Sequence, residues 1–361
     1  MTRNNLIEPF HRFFHNQQLI LLLLAIVTGS AAALGAVVFR EAIVLMQTVT
    51  FGASMEKMSE VIGDLPAWHF LVVPTAGGLL IGLFVQYAMP GRRNRGVADV
   101  MEAAALRSGE ISLKEGLAAA AVSAASIGVG ASVGREGPVV HLGATLSSLV
   151  ATRLRLSRSQ AVTLLGCGVA SGVAASFNAP IAGVFFALEV VIGHYALSAF
   201  APIVIAGVVG TIISRLYFGN FPAFIITEHS IVSFWEFPAF ALLGVVCAMA
   251  AVIFLRSIEF TTNAFGKLPV PPWIRTGIGG LCVGVIALAF PQVLGVGYEA
   301  TDVALKGQYE LDILIALVAA KMAATAISIG AGFGGGVFSP SMFIGAMVGG
   351  SFGIIATQVF P

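Results

Sequence analysis

Hydrophobic and polar positions alternate along this chain in long blocks rather than short periods. Apolar runs of span length or near it cover about 18–39, 69–90, 197–217, 234–255, 274–290 and 312–329. Shorter runs cover 115–133, 137–152, 161–176 and 178–193. A helix needs about 20 apolar residues to cross a bilayer. The long runs therefore predict full spans, and the shorter ones predict tilted, re-entrant or half-crossing helices. The run from Gln18 is too long for the apolar part of a signal peptide and reads as a first span. No short alternating segments of the kind that build a membrane barrel are present.

Composition sharpens this picture. Of 361 residues, 57% are hydrophobic and 10% charged, against about 25% charged in soluble domains. Mean hydropathy is +0.94. These values exclude disorder, coiled coil and an ordinary soluble enzyme. A net charge of +1 excludes nucleic acid as a partner. The 42 glycines suit membrane helices, where they permit close packing and breaks. Cys167, Cys247 and Cys282 lie in apolar runs without CxxC spacing and read as buried thiols.

Loop charge sets orientation. Arg3 and Arg12 precede the first span, and the next loop holds Glu56, Lys57, Glu60 and Asp64. The following loop is basic, with Arg92, Arg93 and Arg95, and so is the segment holding Arg153, Arg155 and Arg158. The N-terminus is thus expected in the cytoplasm. The stretch 115–152 is expected to enter from that side and return to it, turning at Gly128–Pro138.

An internal repeat underlies the chain. SIGVGASVGREGPVVHLGA, from Ser126, aligns without gaps to SIGAGFGGGVFSPSMFIGA, from Ser328, at an offset of 202 residues. The matches include Gly134 with Gly336, Pro138 with Pro340 and Gly143 with Gly345. Glycine- and proline-interrupted segments in both halves of a membrane protein point to a transport site. The expected domains are a cytoplasmic segment 1–17, a first membrane repeat 18–225 and a second repeat 226–361. The repeat partner of Phe177–Gly183 would fall near position 379, so the second half reads as incomplete.

In each copy glycines precede a proline and an apolar helix. Proline suits the first turn of a helix, so helices are expected to start near Gly137 and Ser339. Their free N–H groups and dipoles would make an anion site without a full positive charge. Weak binding of this kind also permits release. Glu136 stands beside one such start. Its carboxylate could fill the anion's place, and protonation would vacate it. Moving one charge through the membrane field is worth about 2.3 kcal/mol per 100 mV. Glu136 could therefore couple anion passage to pH and voltage; the structural alternative is a helix-capping Glu. Arg135 reads at least as well as a structural pair for a carboxylate or carbonyls as it does as a direct anion ligand. Glu189 reads as a structural pair or interfacial cap, Lys321 as paired or snorkelling, His141 as packed and His194 as interfacial. Gly130–Gly134 and Gly332–Gly336 are GxxxG pairs, which favour close helix contact. The chain contains no HExxH and no GxxxxGK[ST]. Gly128, Gly130 and Gly134 only resemble a dinucleotide loop, since no strand precedes them. No enzyme, metal or cofactor is expected.

GREGP at Gly134–Pro138, GGVFSP at Gly335–Pro340 and SFNAPIAGVFFALE at Ser176–Glu189 resemble three signature segments of the CLC family of chloride channels and H+/Cl− antiporters. The resemblance implies an all-α polytopic membrane protein with inverted repeats of tilted and broken helices. It implies a homodimer in the cell membrane with an anion pathway in each subunit. It implies that Glu136 is the gating glutamate and that the amides of Val337 and Phe338 line a central anion site. Amides from Gly134 through Arg135 to Gly137, with Gly336 in the second copy, would serve the anion too. Pro138 speaks against the fluoride-exporting branch. Three departures stand out. Arg95 occupies the place of the usual anion-binding serine and is a candidate ligand. Val190 replaces the internal proton-relay glutamate and favours channel-like conduction; the absence of a large cytoplasmic domain favours an exchanger. The family's pore tyrosine would follow Pro361, and none of Tyr87, Tyr195, Tyr217, Tyr298 and Tyr309 is expected to substitute for it. The expected function is chloride permeation, with protons as a possible co-substrate and the bilayer as the surroundings. The rivals are a transporter of another small anion and a non-functional fragment of a longer protein.

Overall fold

A computed structural model describes residues 17–53, 65–193, 195, 197–220, 224, 231, 233, 234 and 236–359. The expectations for Arg3, Arg12, the loop from Glu56 to Asp64, His194 and Pro361 lie outside the described residues. The described chain is helical: α1 (Gln17–Phe51), α2 (Ala67–Ala88), α3 (Val97–Leu106), α4 (Leu113–Gly128), α5 (Glu136–Arg153), α6 (Arg158–Phe177) and α7 (Pro180–Phe186). A π turn, Ala187–Ile192, continues α7. There follow α8 (Leu197–Phe218), α9 (Glu236–Lys267), α10 (Pro272–Ala289), α11 (Tyr298–Leu305), α12 (Leu311–Ala331) and α13 (Phe338–Val359). Eight helices among the described residues are long and apolar enough to span a membrane. They include α6 and α13. The run 161–176 is thus not a short element but a helix of 20 residues. Its Gly, Ala and Ser content lowers hydropathy without weakening a helix that is buried on all sides.

Contacts group the chain into two compact units that cut across the sequential repeat boundaries. The first holds residues 1–40, 95–120 and 138–223; the second holds 41–94, 121–137 and 224–361. In the first unit α6 is packed by backbone approach. A methyl on Gly168 would lie 2.2 Å from the Gly143 carbonyl oxygen, and one on Gly143 2.4 Å from that of Gly168. Such contacts bring dipoles and Cα–H groups together where no hydrophobic force drives association. Ile111 N–H donates to Ser148 Oγ at 2.8 Å, and Gly116 faces Thr145. The start of α4 therefore lies beside the later part of α5, as expected for a returning hairpin.

In the second unit α2 and α10 run antiparallel with glycines at the crossing. Gly78 meets the Thr276 carbonyl, and Gly280 meets that of Pro74. Pro74 lacks the N–H that would bond Phe70 O one turn earlier. That freed carbonyl lies against Gly284. Pro74 and Gly284 thus act together, one releasing a carbonyl and the other making room for it.

The repeat is also physical. Thr276 stands 202 positions after Pro74, and Gly280 stands 202 after Gly78. Ser132 N–H donates to Ser328 Oγ at 3.1 Å, and Gly334 N–H to Ser126 Oγ at 2.9 Å. The two bonds exchange under the same offset. So do Ser126 Oγ to Val122 O and Ser328 Oγ to Ala324 O. Reciprocal contacts between equivalent residues are the mark of a local two-fold axis. The second unit therefore carries an inverted repeat within itself.

Candidate anion site

The site begins where both repeat copies leave their helices. Gly130 ends the first helical run with φ +92°, and its equivalent Gly332 caps α12 with φ +101°. Side chains rarely adopt this left-handed backbone. Four residues on, Gly134 and Gly336 pair in an antiparallel bridge, N–H to O in both directions, at 2.6 and 2.8 Å. The GxxxG expectation is corrected here. These glycines sit in extended breaks and at helix caps, so they bring two bent chains together rather than two helix faces.

Two residues beyond the bridge, helices start at equivalent positions, α5 at Glu136 and α13 at Phe338. Pro138 and Pro340 each occupy the third helical position, where no N–H is needed. Each start lies one residue before the expected one. A methyl on Gly134 would sit 2.8 Å from Glu136 Oε2 and 3.1 Å from the Ser339 amide nitrogen. One on Gly336 would sit 3.1 Å from the Gly137 nitrogen. The Glu136 carboxylate thus stands in the crevice that ends at the N-terminus of α13.

Glu136 is 4% exposed. Tyr298 Oη donates to its Oε1 at 2.7 Å, and Arg135 Nε lies 3.9 Å from the same atom. Glu136 Oε2 has no hydrogen-bond partner. This oxygen makes no bond to the first turn of α5. The Arg135 guanidinium stacks over the Tyr298 ring at 4.5 Å, and Phe224 packs edge-on against that ring at 5.4 Å. Ser339 is 2% exposed, and its hydroxyl lies beside that of Tyr298.

Tyr298 is the residue that motif reasoning missed. It is 162 residues from Glu136 and lies outside both aligned motif segments. The available signal was GVG immediately before it. Gly295 and Gly297 both have positive φ, at +59° and +88°. A methyl on Gly297 would strike Phe343 at 2.8 Å. Lys321, fully buried, secures this turn by donating to Val293 O and Gly295 O, each at 2.9 Å. It neither pairs with a carboxylate among the described residues nor snorkels, because two backbone carbonyls and the Phe343 ring at 5.1 Å surround its ammonium.

Gly134, Arg135, Glu136, Gly137 and Gly336 come together. Val337 and Phe338 join them at the start of α13, with side chains 39% and 46% exposed. Arg95 belongs to the first unit, where Asp99 at 2.8 Å and Glu115 at 3.3 Å hold it. The bond to Asp99 raises its already high pKa, so its charge is permanent and matched by carboxylates. Glu189 is exposed and accepts from Tyr195 Oη at 3.4 Å. His141 is packed at 2% exposure. Cys167 is buried, but Cys247 and Cys282 are only half-buried, because their helices turn those faces outward.

The family model for voltage gated chloride channels matches residues 77–361. The chain belongs to the CLC family. A putative chloride channel protein, ClcB-like, of Ralstonia nicotianae is 36% identical over 345 residues, covering 94% of this chain and 80% of that one. The fold matches that of a slow cyanobacterial Cl−/H+ antiporter with a TM-score of 0.80 at 22% identity, over 94% of this chain and 80% of that one. It also matches a CLC-type fluoride/proton antiporter, with a TM-score of 0.76 at 24% identity over 94% and 82%. CLC proteins are anion channels and transporters rather than enzymes, and this one is a multi-pass membrane protein.

Proposed function

We propose that this chain carries small anions, chloride first, across the cell membrane by CLC-type permeation, with Glu136 as the gate. The observation that carries this reading is the unpartnered Glu136 Oε2 in the crevice at the α13 N-terminus. A negative oxygen there stands in for the anion. A helix N-terminus contributes about 0.3–1 kcal/mol to such a charge, and up to ~2 in a buried setting. The ionised gate and the anion compete for one place, and protonation removes the competitor. The amides near Gly134–Gly137 and at Gly336, Val337 and Phe338 supply the dipoles. The chain works in the bilayer as a homodimer with its N-terminus in the cytoplasm.

One observation favours uncoupled conduction. Val190, at 37% exposure on the π turn after α7, has no titratable group to relay a proton. The gate is tested by chloride efflux from liposomes. Wild-type efflux should rise as pH falls, and Glu136→Ala should be fast at every pH. An unchanged rate and unchanged pH dependence in that variant would remove the gate. Failure of chloride or bromide to displace a bound organic anion would favour a different small-anion transporter.

A further inference from the structure

We infer that Tyr298 is the latch of the gate: its hydroxyl holds the Glu136 carboxylate in the closed position and sets the pH at which the site opens. The inference rests on the gating reading above and adds the residue that regulates it. Tyr298 acts through Glu136 and is a positioning residue. Its Oη donates to Glu136 Oε1 at 2.7 Å, the length of a charge-assisted bond. Glu136 Oε2 accepts no hydrogen bond, and Arg135 Nε, at 3.9 Å from Oε1, is beyond hydrogen-bond reach. Among the described residues, the Tyr298 O–H is thus the side-chain donor that holds this carboxylate. The tyrosine stands on a rigid base. Arg135 stacks over its ring at 4.5 Å, and Phe224 meets the ring edge-on at 5.4 Å. Lys321 ties down Val293 O and Gly295 O just before it. Behind it, α11 packs Ala300 and Ala304 into one cluster with Leu314, Leu317, Phe343 and Met347. The mobile member of the pair is therefore the glutamate.

A donor aimed at a carboxylate favours its ionised form over its neutral form. A hydrogen bond to a charged group is worth a factor of about ten or more. The Tyr298 bond therefore stabilises the closed, charged gate, and protonation weakens it and releases the side chain. The freed Tyr298 O–H keeps an acceptor, because the Ser339 hydroxyl lies beside it and a hydroxyl oxygen can accept. The latch thus has two rest positions, one on Glu136 and one on Ser339. The other charges around the gate are cations. Arg135 faces it from the residue before α5, and Lys321 stands behind Gly297, 3.2 Å from where a methyl there would lie. The first turn of α13, Phe338–Ser341, and the segment 131–134 contain no titratable side chain. Tyr298 is accordingly the contact whose deletion changes the hold on the gate without changing the charge around it.

The test is the pH profile of chloride efflux from liposomes that hold the full chain. Tyr298→Phe deletes the hydroxyl and keeps the ring beside Arg135 and Phe224. Its efflux should switch on at a higher pH than that of wild type, by about one unit or more, the shift that matches a tenfold weaker hold on the ionised gate. In a Glu136→Ala background the same substitution should shift nothing, because no carboxylate is left to hold. If Glu136→Ala abolishes the pH dependence while Tyr298→Phe leaves the midpoint where it was, the latch is overturned and the gate stands. A Tyr298→Phe variant that is slower at every pH, with an unmoved midpoint, would likewise overturn the latch. If the pH dependence survives in Glu136→Ala, the gating reading itself fails and takes the latch with it.

Discussion

Gly134 is the smallest part of the proposed gate. Its missing side chain leaves the space in which Glu136 Oε2 rests. Gly134→Ala would place a methyl 2.8 Å from that oxygen, the end of a flexible side chain, and 3.1–3.2 Å from the Ser339 nitrogen and Gly336 oxygen, which are fixed backbone. The carboxylate should give way first. Chloride efflux at neutral pH should then move toward the Glu136→Ala rate, with a stability loss of about 1–3 kcal/mol from overpacking. Retention of wild-type pH dependence would show that the methyl does not displace the gate. Lys321 acts at one remove. Lys321→Ala leaves a cavity and strips two buried carbonyls of their donor. The expected cost is about 2–5 kcal/mol, from the values for large-to-small core substitutions, read as a lower melting temperature in detergent. A variant as stable as wild type would mean that the 293–297 turn holds itself.

At the scale of elements, the inverted repeat makes a quantitative demand. Ser126→Ala orphans the Gly334 amide, and Ser328→Ala orphans the Ser132 amide. Each should cost about 1–3 kcal/mol, the penalty for a buried unsatisfied group. Because the repeat interchanges the two bonds, the two losses should match within a few tenths of a kcal/mol, measured by chemical unfolding. A large inequality would mean that the halves bear different loads. The repeat was legible because its glycines and prolines perform backbone tasks that few other residues can. Helix starts were read to within one residue, since proline in the first turn anchors them. Tyr298 was not legible. Its role depends on a turn held by Gly295, Gly297 and Lys321, and no residue spacing encodes a contact 162 positions away. The helical length of α6 was hidden too, because small residues lower hydropathy while they promote burial.

At the scale of the molecule, the question is whether anion movement drags protons with it. In the proposed gate Glu136 is the carboxylate, and one of its oxygens is unpartnered. Coupled exchange requires a second station that passes the proton onward. Val190 has no such chemistry, and Glu189 points to an exposed position shared with Tyr195. On the uncoupled reading proposed above, a proton that neutralises Glu136 opens the site and returns the way it came. Simultaneous chloride and proton recordings from liposomes should show chloride flux that accelerates at low pH, with no uphill proton movement under a chloride gradient. Glu136→Ala should keep the flux and lose the acceleration. Proton uptake against its own gradient, abolished by Glu136→Ala, would instead require a relay elsewhere in the chain. The uncoupled reading would then be wrong, while the gate would remain.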